Sequence, residues 1–96
     1  MEFTVNITAS ARTDIRFFKV YEQRIIATGI RTFLTRDALV ETDRRKLLEP
    51  NNLAPWELRI ENYRVFYDVD DDTVRIIAVG HKNHNDLYVR GKKVQL

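Results

Sequence analysis

The sequence predicts an α+β domain with two N-terminal helices packed on one face of a mostly antiparallel four-stranded sheet, in the order β-α-α-β-β-β with an extended C-terminal tail. Three observations lead there. Trp56 to Val69 is an alternating run, a break at Glu61-Asn62, and a second alternating run, the pattern of two half-buried strands. Residues 11–34 place apolar side chains at helical rather than alternating spacing. The helical segments lie together ahead of the strands, which groups them as one layer, and strands joined by tight turns run antiparallel.

At the N-terminus, Phe3, Val5 and Ile7 alternate with Glu2, Thr4, Asn6 and Thr8, which predicts a strand. Ser10 is a suitable cap for a helix starting at Ala11. Ile15 and Phe18 share one face of it, and the pattern slips phase near Lys19-Val20, predicting a bend into a second helix over roughly 21–34. Ile26, Ile30, Phe33 and Leu34 form the apolar stripe of that helix. Gly29 weakens the helix but permits close approach to a neighbour.

From Thr35 to Pro55 the periodicity fades, with turn signals at Pro50-Asn51-Asn52 and Ala54-Pro55 and room for one helical turn near Asp43 to Leu48. Connections of this length are uncommon unless functional. A two-residue loop at Glu61-Asn62 pairs Ile60 with Tyr63, Arg59 with Arg64, Leu58 with Val65 and Glu57 with Phe66. Leu58, Ile60, Tyr63 and Val65 then form a core face. The opposite face, with Arg59, Arg64 and Phe66, is left to water or a partner. Asp70 to Thr73 turns the chain into Val74 to Gly80, a nearly continuous apolar run suited to a central strand. An even loop there sets Asp68 against Arg75 and Val65 against Ala78. Leu87 to Leu96 is expected to be extended or a short edge strand.

Composition bounds the function. The 96 residues form one domain, 1–96, with a single two-layer core. No apolar run reaches the length of a transmembrane helix, and no signal peptide is visible. The absence of cysteine removes disulfides and thiolate metal sites and makes a reducing cytoplasm the expected compartment. His81 and His84 have no third ligand at zincin spacing, and the Asp70-Asp71-Asp72 run lacks the glycine and glutamate of a calcium loop, so neither a metal nor a cofactor is expected. The net charge of +2 permits nucleic-acid binding without requiring it. After Gly80 the chain carries Lys82, Arg90, Lys92 and Lys93 against the single acid Asp86; this is either a polyanion contact or a solvated tail. Most informative is the pairing of Arg59 with Arg64. Like charges opposed across two strands destabilise the pair, so an anion is expected beside them, either Glu57 or a bound phosphate.

Several segments together resemble the RelE/ParE superfamily of type II toxins over nearly the whole chain. They are Ala11 to Ile15, Glu22-Gln23-Arg24-Ile25, Lys46-Leu47-Leu48, Trp56 to Ile60, Tyr63 to Val69, Ile77 to Lys82 and Asn85 to Tyr88. The Tyr-Arg-Val-x-Tyr and Val-Gly-His-Lys pieces are the most specific. The resemblance implies cleavage of mRNA in the ribosomal A site by attack of the 2′-hydroxyl on the adjacent phosphate, which needs no metal. It also implies a small RelB-like antitoxin as partner, with an acidic segment that folds on the toxin, and no membrane. It assigns Arg64 and Arg59 to the scissile phosphate, Lys82 to the leaving group, Tyr88 to stacking on or orienting the substrate, and Lys46 to a basic position on the preceding loop. His84 stands where a basic residue is common, and histidine is a natural acid/base near neutral pH. Glu57 stands where the best-studied RelE branch has a lysine, and it is either a general base or the counter-ion that quenches the arginines. His81 and Arg90 are further RNA-binding candidates. Phe66 either stacks on a base or packs under an antitoxin helix. Strand parity alone puts His81 rather than Lys82 on the arginine face unless a bulge intervenes. The superfamily leaves two other readings open: an inhibitor of DNA gyrase, and an inactive antitoxin-binding relative.

Overall fold

The computed structural model describes residues 2–96. The chain runs β1 (Thr4–Ile7), α1 (Ala9–Arg16), α2 (Val20–Leu34), β2 (Arg45–Leu47), β3 (Trp56–Ile60), β4 (Tyr63–Asp70), β5 (Thr73–Asn83), β6 (Asp86–Val89) and β7 (Lys92–Val94). The α+β class and the grouped helices are as predicted, but the sheet has seven strands rather than four, in the order β2-β3-β4-β5-β6-β7 with β1 parallel to β5. The added strands are short. Arg45–Leu47 pairs with β3 where a helical turn was expected, and the tail is a hairpin of two strands rather than one extended segment. A three-residue strand is defined by its partner and leaves little alternation to read.

Helix α1 begins two residues earlier than expected, because Thr8 and not Ser10 caps it: the Thr8 hydroxyl accepts from the Ala11 N–H at 3.2 Å. The phase slip at Lys19-Val20 is the junction between the helices. There Glu22 Oε1 accepts from the Lys19 N–H at 3.1 Å, while Glu22 Oε2 accepts from the Tyr63 hydroxyl at 2.8 Å, tying the start of α2 to β4. The Tyr63 hydroxyl and the Lys19 N–H hold the Glu22 carboxyl below its ordinary value, and burial pushes the Tyr63 hydroxyl up.

Ile26, Ile30 and Leu34 of α2 pack with Leu58, Ile60, Tyr63, Val65, Tyr67, Val74, Ile76 and Val79 in the main core. The β3–β4 register is the one the sequence predicts, from Trp56 opposite Tyr67 to Ile60 opposite Tyr63. Trp56 stacks on Tyr67 with ring centroids 5.9 Å apart, and the buried Tyr67 hydroxyl donates to the Ala38 carbonyl at 2.8 Å. Asp68 faces Arg75 as expected, and they form an ion pair at 2.9 Å.

Val65, however, faces Val79 rather than Ala78. The β4–β5 register shifts between Phe66 and Tyr67, so Phe66 pairs with Ala78 while Tyr67 pairs with Ile76 and Ile77 is the extra residue. A bulge of this kind reverses the facing of everything beyond it. Before it, Val74 and Ile76 point to the helix side; after it, Val79 and His81 do, and Gly80 and Lys82 join the outer face.

That outer face is only partly open. A second buried cluster of Ala54, Phe66, Ala78 and Leu87 lies on it, with Leu48, Leu53, Ile77 and Val94 at its margin. The 48–55 loop and the β6–β7 hairpin therefore cover the middle of the face, leaving the end that carries Arg59 and Arg64 only partly covered.

Two outcomes test this packing. A methyl on Gly29 would sit 2.3 Å from Ile60 Cδ1 and 2.7 Å from Cγ1. Overpacking costs about 1–3 kcal/mol, against about 1 kcal/mol gained in helix propensity. Gly29→Ala should therefore lower stability in urea unfolding by roughly 1 kcal/mol, and by less in an Ile60→Val background. The depressed Glu22 carboxyl contributes stability that is complete above its unfolded value near 4.5 and is lost as pH falls through the lower folded value. Glu22→Gln should therefore flatten the acid limb of an unfolding series below pH 4.5.

Candidate active site

The β3–β4 turn is tight, with Glu61 in the left-handed region at φ 53°. It sets Arg59 and Arg64 directly opposite each other on the outer face. Glu57 lies two residues before Arg59, only 4% exposed, facing Phe66 on β4 and Lys46 on β2. Its Oε1 lies 2.9 Å from Arg59 Nε, a hydrogen-bonded ion pair, and 4.0 Å from Arg64 Nε. Lys82 reaches the same face through the bulge, two residues past Gly80, which pairs with Arg64. Its backbone N–H donates to the Asn62 carbonyl at 2.7 Å, stitching β5 to the β3–β4 turn. The fold thus brings together Lys46, Glu57, Arg59, Arg64 and Lys82: four cations around one carboxylate. Among the described residues neither lysine forms an ion pair.

Arg64 is the most constrained of the four. Its Nη1 donates to the carbonyls of Glu61 and Tyr63, both at 2.9 Å, which fixes the plane of the guanidinium. Its side chain is 15% exposed, against 46% for Arg59. Burial pushes the Arg64 guanidinium down from its ordinary value; Glu57 opposes this and Arg59 adds to it. It remains a cation, as arginine does throughout proteins. Its Nε is buried without a hydrogen-bond acceptor. A buried donor left unpaired costs about 1–3 kcal/mol, and an oxyanion placed between the two arginines would remove that cost. A fixed fork with an unused donor beside a second guanidinium is an arrangement preorganised for a phosphate.

The other expected site residues lie elsewhere. Phe66 is fully buried in the second cluster, so it is available neither to a base nor to a partner helix. Its outward parity was legible in the sequence; the lid over it was not, because the lid is built from loop and tail. His81 pairs with Tyr63 and with Tyr88, which places both His81 and Tyr88 on the helix side of the sheet. Their rings stack at 5.6 Å, with Phe18 edge-on to His81. Tyr88 is thus at the same edge as Lys82 but on the opposite face from Arg64. His84 is exposed at the tip of the β5–β6 turn in the left-handed region, φ 59°. Arg90 is not a free RNA contact: its Nε lies 3.0 Å from Oδ1 of the buried Asp14 on α1. Asp14 lies in the Ala11 to Ile15 segment, and an acid amid the apolar positions of a short helix is itself a signal of a buried polar role. No group of three or more metal-ligating side chains occurs among the described residues, and no helix among them is long and apolar enough to cross a membrane.

The α+β fold that carries this cluster is that of the RelE/ParE toxins. The profile of the ParE toxin of the type II toxin–antitoxin system parDE matches residues 5–85, so the chain belongs to the ParE toxin family within the RelE/ParE superfamily. Among solved structures, it is similar to a chain of the RelBE2 toxin–antitoxin complex from Mycobacterium tuberculosis, with a TM-score of 0.73 and 26% identity over 84% of this chain and 92% of that one. It shares its fold with a chain of the archaeal RelE–RelB complex from Pyrococcus horikoshii OT3 (TM-score 0.67, 18% identity, 88% and 99% covered). It also shares it with the YoeB dimer from Staphylococcus aureus (TM-score 0.61, 20% identity, 88% and 99% covered). No curated protein sequence matches the chain.

Glu57 takes up one cationic charge of the cluster. Glu57→Gln should tighten binding of a short RNA at low salt by roughly three- to tenfold, about 0.6–1.4 kcal/mol, with a steeper loss of affinity as salt is raised. Filter binding across a salt series measures both; unchanged affinity would show that the cluster around Glu57 does not take up the polyanion.

Proposed function

We propose that this chain is the toxin of a type II toxin–antitoxin pair and acts as a ribosome-dependent mRNA endoribonuclease. The observation that carries the reading is the Arg59–Arg64 pair, with Arg64 Nε buried and lacking a hydrogen-bond acceptor, at the partly open end of the sheet. In the reaction the 2′-oxygen forms a bond to the adjacent phosphorus and the bond to the 5′-oxygen breaks. A base takes the 2′ proton, and an acid returns one to the departing 5′-oxygen. The nucleophile belongs to the substrate, so the chemistry requires charge stabilisation and proton transfer rather than a metal or cofactor.

Arg64 and Arg59 hold the phosphate oxygens and stabilise the negative charge that builds on them. Lys82, on the same face, stabilises the leaving oxygen. Lys46 extends the positive surface along the RNA backbone, and Glu57, the one carboxylate of the cluster, is the candidate base. His84, at the tip of the neighbouring hairpin, acts on the nucleotide from its side, while Tyr88, on the opposite face, stacks on His81 and holds the base of that hairpin. His81 supports Tyr88 by stacking. The ribosome supplies the placement of the codon and the exclusion of water that an open sheet face lacks.

The partner is a small RelB-like antitoxin with an acidic docking segment. Two of the similar solved structures are toxin–antitoxin complexes. In addition, the groove between α1 and α2 has an apolar floor of Ile7, Ile15, Val20 and Ala27, rimmed by Arg12, Arg16 and Arg24. An acidic amphipathic segment matches both.

A second reading is favoured by the family profile and by the Glu57–Arg59 ion pair: an inhibitor of DNA gyrase, with Glu57 as a permanent counter-ion. Expression in a test strain followed by primer extension on translated mRNA separates the two. The nuclease reading predicts growth arrest with cleaved message, and Arg64→Ala should reduce cleavage by about 10²–10³-fold, the loss typical of one transition-state donor. With Glu57 as base, Glu57→Gln loses about 10²–10⁴-fold; with Glu57 as counter-ion, cleavage holds or rises. Intact message with a DNA-damage response would establish the gyrase reading, and a fully toxic Arg64→Ala protein would sink the proposed site.

A further inference from the structure

The buried carboxylate of Asp14 is not used by the reading above, yet it grips the site from behind. On one edge of β5, β1 pairs with residues 73–76 and β6 pairs with residues 81–83. The stretch between has no strand partner on that side, and Asp14 fills the gap: its Oδ2 accepts the Val79 N–H at 3.0 Å. Its other oxygen, Oδ1, lies 3.0 Å from Arg90 Nε, an ion pair without hydrogen-bond alignment, where Arg90 turns β6 into β7 with φ 51°. Asp14 is 1% exposed. One carboxylate therefore ties down both ends of the segment 79–90.

That segment carries Lys82, His84 and Tyr88, whereas Glu57, Arg59 and Arg64 stand on β3 and β4. Backbone contacts show how closely the hairpin is folded back. Any side chain at Gly80 would bring a Cβ to 2.4 Å from the Tyr88 carbonyl oxygen, so β6 closes over β5 only because residue 80 is glycine. Phe17, beyond the end of α1, approaches Gly91 of the next turn. The hairpin is thus set against α1 by a buried charge, and its site-bearing residues take their position from it.

We propose that Asp14 is a positioning residue: through Val79 and Arg90 it sets the β5–β6 hairpin, and with it Lys82 and His84, against the arginine pair. This rests on the nuclease reading, since it assigns a role within that site. Asp14 touches no RNA. It acts on the rate of the step once RNA is bound, because the phosphate-holding arginines lie on strands it does not contact.

The test uses the whole protein on ribosomes programmed with mRNA, with four variants measured beside the wild type. Asp14→Asn keeps an acceptor for the Val79 N–H and removes the charge that holds Arg90. It should lower kcat by about tenfold to a hundredfold, the effect of a small misplacement at a reacting centre, and leave KM unchanged. Arg90→Ala should do the same, and Arg90→Lys should recover most of the rate. Amide exchange over residues 83–89 should quicken in Asp14→Asn and Arg90→Ala while the β3–β4 amides keep their protection. Arg64→Ala is the control whose loss reports the site itself. A wild type that leaves translated mRNA intact overturns the nuclease reading and this role with it. An active wild type whose Asp14→Asn and Arg90→Ala variants cleave at the same rate overturns the positioning role alone, as does a rate loss without faster exchange in the hairpin. Should Asp14→Asn fail to fold, the Arg90 pair of variants decides the question unaided.

Discussion

The extra residue Ile77 between β4 and β5 determines which side chains meet on each face of the sheet. Without it, the strand after Ile76 would continue in phase, and His81 would join Arg64 while Lys82 pointed to the helices. With it, the core keeps Val79 on the helix side, continuous with Val74 and Ile76, and the outer face gains Gly80 and Lys82. The one-residue slip also sets Ile77 and Ala78 together on the outer face, where they meet Phe66 and the tail. The bulge thus separates two chemistries: an aromatic cluster of Phe18, Tyr63, His81 and Tyr88 on one side, and a cationic one on the other.

The cationic side depends on fixed donors in a place water only partly reaches. Arg59 is half exposed and gives its Nε to Glu57; Arg64 is largely covered and held by two backbone carbonyls. Exposed ion pairs contribute little because water screens them. A covered guanidinium whose orientation the backbone determines is different. Its Nε lacks a hydrogen-bond acceptor, a cost to stability that the rest of the fold offsets. The same logic applies behind the sheet at Asp14. Burial pushes its carboxyl up from the usual value, and the Val79 N–H and the Arg90 charge hold it down. Both groups mark places where the fold holds polar atoms in fixed positions at some cost to its own stability.

The β3–β4 hairpin was legible residue by residue, because strict alternation and a two-residue break leave one register that buries Leu58, Ile60, Tyr63 and Val65 together. Asp68 opposite Arg75 followed from the next turn for the same reason. What alternation does not carry is a change of phase inside a continuous apolar run. Val-Arg-Ile-Ile-Ala-Val-Gly shows two apolar faces, so nothing in it marks Ile77 as the residue to skip. The same limit hid the burial of Phe66. Its cover comes from Leu48, Leu53 and Ala54 in a loop without periodicity, and from Leu87 and Val94 in a hairpin too short to announce itself. Arg90 looked like part of a basic tail because its acid partner lies 76 residues earlier, on α1.

The proposed function requires the outer face of the sheet to meet RNA, and resonance mapping with a short RNA blocked by 2′-O-methyl groups tests that most directly. The blocked strand lacks the attacking 2′-hydroxyl, so any complex it forms stays intact while it is observed. The account predicts shifts concentrated at Lys46, Arg59, Arg64, Gly80 and Lys82, with the Arg64 Nε–H signal moving as it gains an acceptor. Shifts confined to α1 and α2, with Arg59 and Arg64 unmoved, would contradict it.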